Sequence, residues 1–350
     1  MIKVTWGQIL RWRIERQFLG ATRGADAVAV ARRLGGLHAQ LAASAVTALD
    51  LRVTGGATAE SVDEELWGKR RLVKTWAARG TLHLLPADDL PTWVAAMSTR
   101  SRESTASWLR YQGVTAEQMA DVIAAVPDVL GGEPMTRQEL ADAIIKATRH
   151  DDLREPLTQG FGMLLKPLAF RGLLCFGPPR GRNVTFVAPR QWLDSWDDVD
   201  SDAAIDTLTL AYLGTYGPAT PEEFSRWFDL KPALAKKAFA RLGDQLVAVE
   251  GGSMPAALVG EVAQERPVSV LLLPAFDPYT VASMRQADRV VTGDNRAKVS
   301  RPQGWISPAL VVDGRIDGVW DEGTVTPFVP LARSIRSALV RGFPGVSVAD

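Results

Sequence analysis

The stretch "LGGLHAQLAAS", residues 34–44, sets a histidine and a glutamine, His38 and Gln40, two positions apart among small apolar residues. These side chains can handle water: an imidazole titrates near neutrality and can take a proton, and a carboxamide both donates and accepts hydrogen bonds. Gly35 and Gly36 just before the pair predict the end of any helix running into it, because glycine is a common C-terminal stop. On the extended backbone that follows, alternation by two would point His38 and Gln40 the same way, whereas a helix would turn them about 200° apart. Spacing alone fits a polar brace of a turn as well as it fits a site.

The other histidines carry less. His83, in "RGTLHLL", shares a strand face with Thr81 and Leu85 and reads first as a hydrogen-bonded structural residue, with a site role second. His150, in "TRHDD", stands among charges and reads as solvated. Cys175, in the apolar run "LLCF", reads as core; as the single cysteine it excludes an intramolecular disulfide and fits a reducing compartment. There is no glycine-rich phosphate loop, dinucleotide fingerprint, His-x-x-x-His or Cys-x-x-Cys. The expectation is an enzyme or binder without metal or cofactor.

The elements that must position the pair follow from periodicity. Trp6, Leu10, Ile14 and Phe18 recur at i+4 with Arg11, Arg13 and Arg16 off the stripe, an amphipathic helix. Asp26 can cap a second helix through Leu34, Ser44 a third in "AVTALDLR", and "SVDEELWGKR" gives a fourth. "LVKTWAARGTLHLLP" then reads as a hairpin. Helices followed by a hairpin make a winged helix, and the order recurs twice more. The expected division is winged helix 1 over 1–86, a helical connector over 87–135, winged helix 2 over 136–200 and winged helix 3 over 201–253. From 254 to 350 short β-rich runs, with a tight turn at Asp313-Gly314, predict a small β-barrel or sheet closed by a short C-terminal helix. The fold class is therefore α+β.

The chain has 350 residues, 46% hydrophobic and 23% charged, enough for several domain-sized units with a real core. No uncharged run approaches the roughly 20 residues of a membrane span, and no basic-then-apolar leader opens the chain. A cytoplasmic monomer with no membrane partner is expected. Forty basic residues balance forty acidic ones, so any DNA contact must come from local patches. The winged-helix reading places such patches on wings and recognition helices: Arg79, Arg180, Arg182, Lys236, Lys237 and Arg241. "KRRLVK" (69–74) and Arg285, Arg289, Arg296, Lys298 and Arg301 extend the basic surface.

The phrases "LGGLHAQ", "ALDLR", "LVKTWAARGTLHLLPADDL", "LLLPAFDPYTVA" and "PALVVDGRIDGVW", in that order, resemble the AlkZ and YcaQ type of winged-helix DNA glycosylase over nearly the whole chain. The resemblance implies three tandem winged helices, a C-terminal β-barrel and hydrolysis of the N-glycosidic bond of N7-alkylguanine in duplex DNA without metal or cofactor. Some members give self-resistance to bacteria that make DNA-alkylating antibiotics. The family motif is Gln, an apolar residue, then Gln or Asp; here His38, Ala39 and Gln40 match at the last position and depart at the first. That variant resembles a His-containing subgroup associated with bulky intercalating adducts of the trioxacarcin kind. By the same resemblance Asp277 is a second-rank site residue, with capping of a turn before Pro278 as its structural alternative.

The implied chemistry suits the residue types. Alkylation at N7 makes guanine a good leaving group, so the enzyme must stabilise an oxocarbenium-like sugar and supply water. Gln40 would orient that water and His38 act as base or electrostatic partner. A large intercalated adduct resists extrusion, which predicts access from the grooves, with the "PPRGRN" tip on the DNA backbone. Two other functions fit a winged-helix chain: a transcriptional regulator, and a non-catalytic protein sequestering the drug or its adduct.

Overall fold

Thr5 opens the first helix by a capping box with Gln8, and Asp26 caps the second through the Ala29 amide. The computed structural model that shows this describes residues 4–100, 105–159 and 162–349. The chain divides into two units: Met1–Val62 with Thr209–Phe228 and Pro232–Asp350, and Asp63–Leu208 with Asp229–Lys231.

In the first unit α1 (Trp6–Arg16) and α2 (Ala27–Arg33) lead to β1 (Leu37–His38) and α3 (Ala42–Asp50). The expected single stripe on α1 is incomplete. Leu10 and Ile14 pack against Leu273, Tyr279, Val311 and Ile316, while Ile9 and Trp12 pack on the opposite side against Val249, Met254 and Val262. A helix buried on two sides hides more than its amphipathic face, and Arg13, expected in solvent, is 3% exposed. Its guanidinium donates to the Gly217 and Pro218 carbonyls and to Gln286 Oε1. Phe18 lies beyond the helix with φ 57°. Ser44 does not cap α3: Leu41 is the N-cap residue and offers no side-chain bond.

In the second unit the π-helical turn Glu64–Gly68 leads to β2 (Leu72–Trp76) and β3 (Leu82–Pro86), the expected hairpin, pairing Leu72 with Pro86 and Trp76 with Leu82. The connector is helical at Leu90–Met97, Ala106–Gln112 and Ala116–Val129. Next, β4 (Met135–Thr136) precedes the capped helix Arg137–Thr148, the short helices Arg154–Thr158 and Lys166–Phe170, then β5 (Cys175–Arg180) and β6 (Asn183–Val187), in the sheet order β4-β6-β5. Trp76, Phe176 and Phe186 form one aromatic cluster with centroids 4.8 to 6.1 Å apart. Cys175 is fully buried, and burial pushes its thiol pKa up, the state of a core residue. His150 is half-buried and bonded to Asp121 at 2.8 Å, not simply solvated.

The third helix–helix–hairpin run is Ser201–Tyr216, Pro221–Phe228 and Pro232–Leu242, then β7 (Leu246–Val249) and β8 (Gly252–Pro255). After it, β9 (Val270–Leu273), β10 (Ala309–Val312), β11 (Arg315–Asp321), β12 (Thr324–Pro327) and β13 (Ser347–Val348) form one sheet in the order β13-β12-β11-β10-β9. This sheet is curled into a half-barrel, the small barrel or sheet expected of the C-terminal β region. Its strands alternate: Leu273 and Val311 face the α1 cluster, whereas Leu272, Leu310 and Val325 pack on Leu339 of the helix Arg333–Gly342. Asp313 and Gly314 turn β10 into β11 with φ 51° and 81°, the tight primed turn expected from the dipeptide. A Cβ on Gly314 would lie 2.7 Å from the backbone oxygen of Leu10.

Candidate active site

The His38 segment is fixed from both ends. Upstream, the Gly36 amide donates to the Ala31 carbonyl and the Gly35 amide to that of Arg32, with φ 86° and 59°, so the glycines close α2 as a Schellman motif. The last carbonyls of the turn are taken from outside: Thr215 Oγ1 donates to Arg33 and Tyr216 Oη to Leu34. Downstream, Arg52, two residues past α3, is fully buried and donates through Nη1 and Nη2 to Asp277 Oδ2 and Oδ1, each at 2.8 Å. The same guanidinium donates to the Gln17 and Ala48 carbonyls. This is the planar two-pronged pairing only arginine offers a carboxylate, with its other donors satisfied by backbone.

Asp277 has a structural place. Its Oδ1 also accepts the Tyr279 amide at the start of the helix Pro278–Ser283, so the capping alternative is the observed one, and the residue is 1% exposed. Its consequence lies one residue earlier. Phe276 holds φ 58°, a left-handed conformation that costs an aromatic residue about 1–3 kcal/mol and persists only when its surroundings impose it. The His38 imidazole stacks on the Phe276 ring with centroids 5.2 Å apart and planes within 5°. Trp305, 41% exposed, meets the Phe276 ring edge-on with centroids 5.1 Å apart. A face-stacked imidazole keeps both nitrogens at its edge, in plane, where in-plane hydrogen bonds form.

Gln40 differs from His38 in exposure. His38 is 7% exposed and ends β1, whereas Gln40 lies on a bend and is exposed. The alternation by two therefore stops at His38, and the pair combines an anchored imidazole with a solvent-facing amide. His83 is buried in β3 with Nδ1 2.9 Å from the Thr81 carbonyl, as its structural reading expected. Among the described residues no three His, Cys, Asp or Glu side chains converge as metal ligands. No helix there is long and apolar enough to cross a membrane.

The basic residues fall into two kinds. Arg182, Lys237 and Arg241 are exposed. Arg180 and Lys236 are exposed too; Arg180 pairs with Glu139 at 2.7 Å and Lys236 with Glu222 at 3.1 Å. Arg79 sits at the β2–β3 tip with φ 57° and lines a 170 Å³ cavity with Trp108, Tyr111 and Lys166. Sequence reasoning missed Phe276, Trp305 and Arg52. Phe276 lies in "LLPAFDPY", directly before the aspartate that makes this motif legible in the sequence.

Residues 31–339 match the family model described as DNA glycosylase AlkZ-like. The chain is 38% identical over 342 residues to the interstrand DNA cross-link repair glycosylase of Streptomyces sahachiroi, covering 93% of this chain and 91% of that protein. It superposes on the solved Streptomyces sahachiroi DNA glycosylase AlkZ with a TM-score of 0.90 at 34% identity, spanning 99% of this chain and 100% of that one.

Proposed function

This chain belongs to the AlkZ-like DNA glycosylase family, enzymes of DNA repair acting on N-glycosyl bonds, and from that premise we propose that its substrate is N7-alkylguanine in duplex DNA, bulky antibiotic adducts foremost. The lesion in the relative's name, an interstrand cross-link, falls within this reading. The active form is a cytoplasmic monomer. The division into winged helices over 1–86, 136–200 and 201–253, a connector over 87–135 and the β region over 254–350 belongs to the same proposal.

The observation that supports it is the stacked His38 beside the exposed Gln40. Gln40 holds a water at the sugar face. As the C1′–N9 bond breaks, its electron pair moves into the base and neutralises the N7 charge; the water oxygen bonds C1′ and its proton passes to His38. The base needs no protonation, so a proton acceptor and a water holder suffice. Arg79, Arg180, Arg182, Lys236, Lys237 and Arg241 bind the duplex backbone, and the lesion is reached from a groove; an extrahelical base in a complex structure would refute that route.

The test is release of modified base from duplex carrying an N7-alkylguanine, by wild type and by a His38→Ala/Gln40→Ala variant, with binding measured separately. Release by wild type and none by a variant that still binds supports the assignment. Binding by both without release points to sequestration or regulation. Full activity in His38→Ala alone would remove the base role from His38.

A further inference from the structure

Away from the His38 platform, in the same unit, Arg226, Arg285 and Arg296 line one cavity of 440 Å³. They come from three elements: the helix Pro221–Phe228, the turn Met284–Gln286 and the turn Arg296–Val299. Among the described residues none of the three guanidiniums makes an ion pair or hydrogen bond, and Arg285 Nε is buried without a partner. Two carboxylates share the cavity. Asp288 is 80% exposed and lies 3.9 Å from Arg289; Asp294 is exposed at the rim.

Like charges do not gather without something holding them. Burial lowers the Arg285 pKa, and although Tyr212 opposes this, the charges of Arg226 and Arg296 press it down further. What holds the site is the buried network beneath it. Gln286, next to Arg285, donates to Glu223 Oε2 and to the Pro218 carbonyl, each at 3.0 Å, and Glu223 precedes Arg226 on its helix. Arg13 donates to the same Gln286, so the negative charge of Glu223 is balanced by Arg13, and the three cavity arginines face only the two exposed aspartates, an excess of positive charge. Guanidiniums gathered at one cavity wall from three elements, with donors unspent, are an arrangement that binds phosphate.

We propose that this cavity is a phosphodiester clamp that grips the DNA strand outside the lesion. The inference rests on duplex DNA as the partner and adds a contact beyond the wing and recognition-helix residues. The segment Asp277–Arg285 joins it to the His38 platform, and at 1.5 Å per helical residue the two stand about 12 Å apart along that segment. That is about three to four base steps of 3.4 Å, so one strand could reach both.

The test is the salt dependence of binding to undamaged duplex, a readout independent of base release. In R226Q/R285Q/R296Q the slope of log K against log salt becomes shallower by about 0.9, the loss of one phosphate contact. A matched variant on the C-terminal helix, R333Q/R336Q/R341Q, removes the same charge and keeps the wild-type slope. D294N, which clears a carboxylate from the rim without touching the fold, tightens binding about threefold, the scale of one exposed charge interaction. An unchanged slope in the cavity variant, or an equal fall in both triple variants, overturns the clamp. No duplex binding by wild type overturns both the clamp and the function it rests on, whereas binding with the predicted slopes but no base release overturns the function alone.

Discussion

Arginine serves opposite ends in two parts of the first unit. Arg52 is sealed from solvent, its guanidinium matched donor by donor to Asp277, Gln17 and Ala48. Arg226, Arg285 and Arg296 face a cavity with no partner of their own among the described residues. Burial explains the difference. A charge without water must be neutralised on the spot, so Arg52 can only be structural, and what it structures is the loop presenting Phe276 to His38. A charge at a cavity wall keeps some water and can wait for an anion.

Substitutions should separate the two sites sharply. Arg52→Ala leaves Asp277 buried and unpaired and should cost about 3–5 kcal/mol, read as a fall in Tm or in the denaturant midpoint. Arg52→Met with Asp277→Leu should recover most of that loss while activity stays low, because the carboxylate that caps Pro278–Ser283 is gone. Recovery of full activity would show that the pair does not position Phe276. Gly314→Ala, which strains a positive φ and meets Leu10 backbone, should cost about 1–3 kcal/mol without altering duplex binding. Thr215→Val removes one bond to the end of α2 and should cost about 1 kcal/mol. The smallest change is expected at the cavity: Arg226→Gln should move stability by no more than about 0.5 kcal/mol, and a larger loss would make that arginine structural after all.

Much of the frame is legible in the residues. Gly35 and Gly36 announce the stop before His38, Asp313-Gly314 the hairpin, and "LVKTWAARGTLHLLP" the first wing, because each depends on local backbone preference. What could not be read depends on partners far along the chain. Arg13 and Arg52 look like any helix arginine, and only the tertiary fold supplies the carbonyls and carboxylates that let them be buried. Ser44 does not mark the helix start because α3 begins two residues earlier, at Ala42, behind an exposed Leu41 whose side chain can cap nothing. The candidate pair was visible as His38 and Gln40; the ring that stacks on His38 was not, since an aromatic in "PAF" carries no mark of which ring it will meet.

The Arg52–Asp277 pair joins positions 225 residues apart, which gives it a meaning in time. During synthesis the His38 segment leaves the ribosome long before the loop that shapes it. A contact of such sequence separation closes late, after the intervening helices and hairpins have formed. A nascent or truncated chain ending before Phe276 carries His38 and Gln40 without the ring that holds the imidazole. The stacked His38 platform is therefore completed only once the last quarter of the chain has been made.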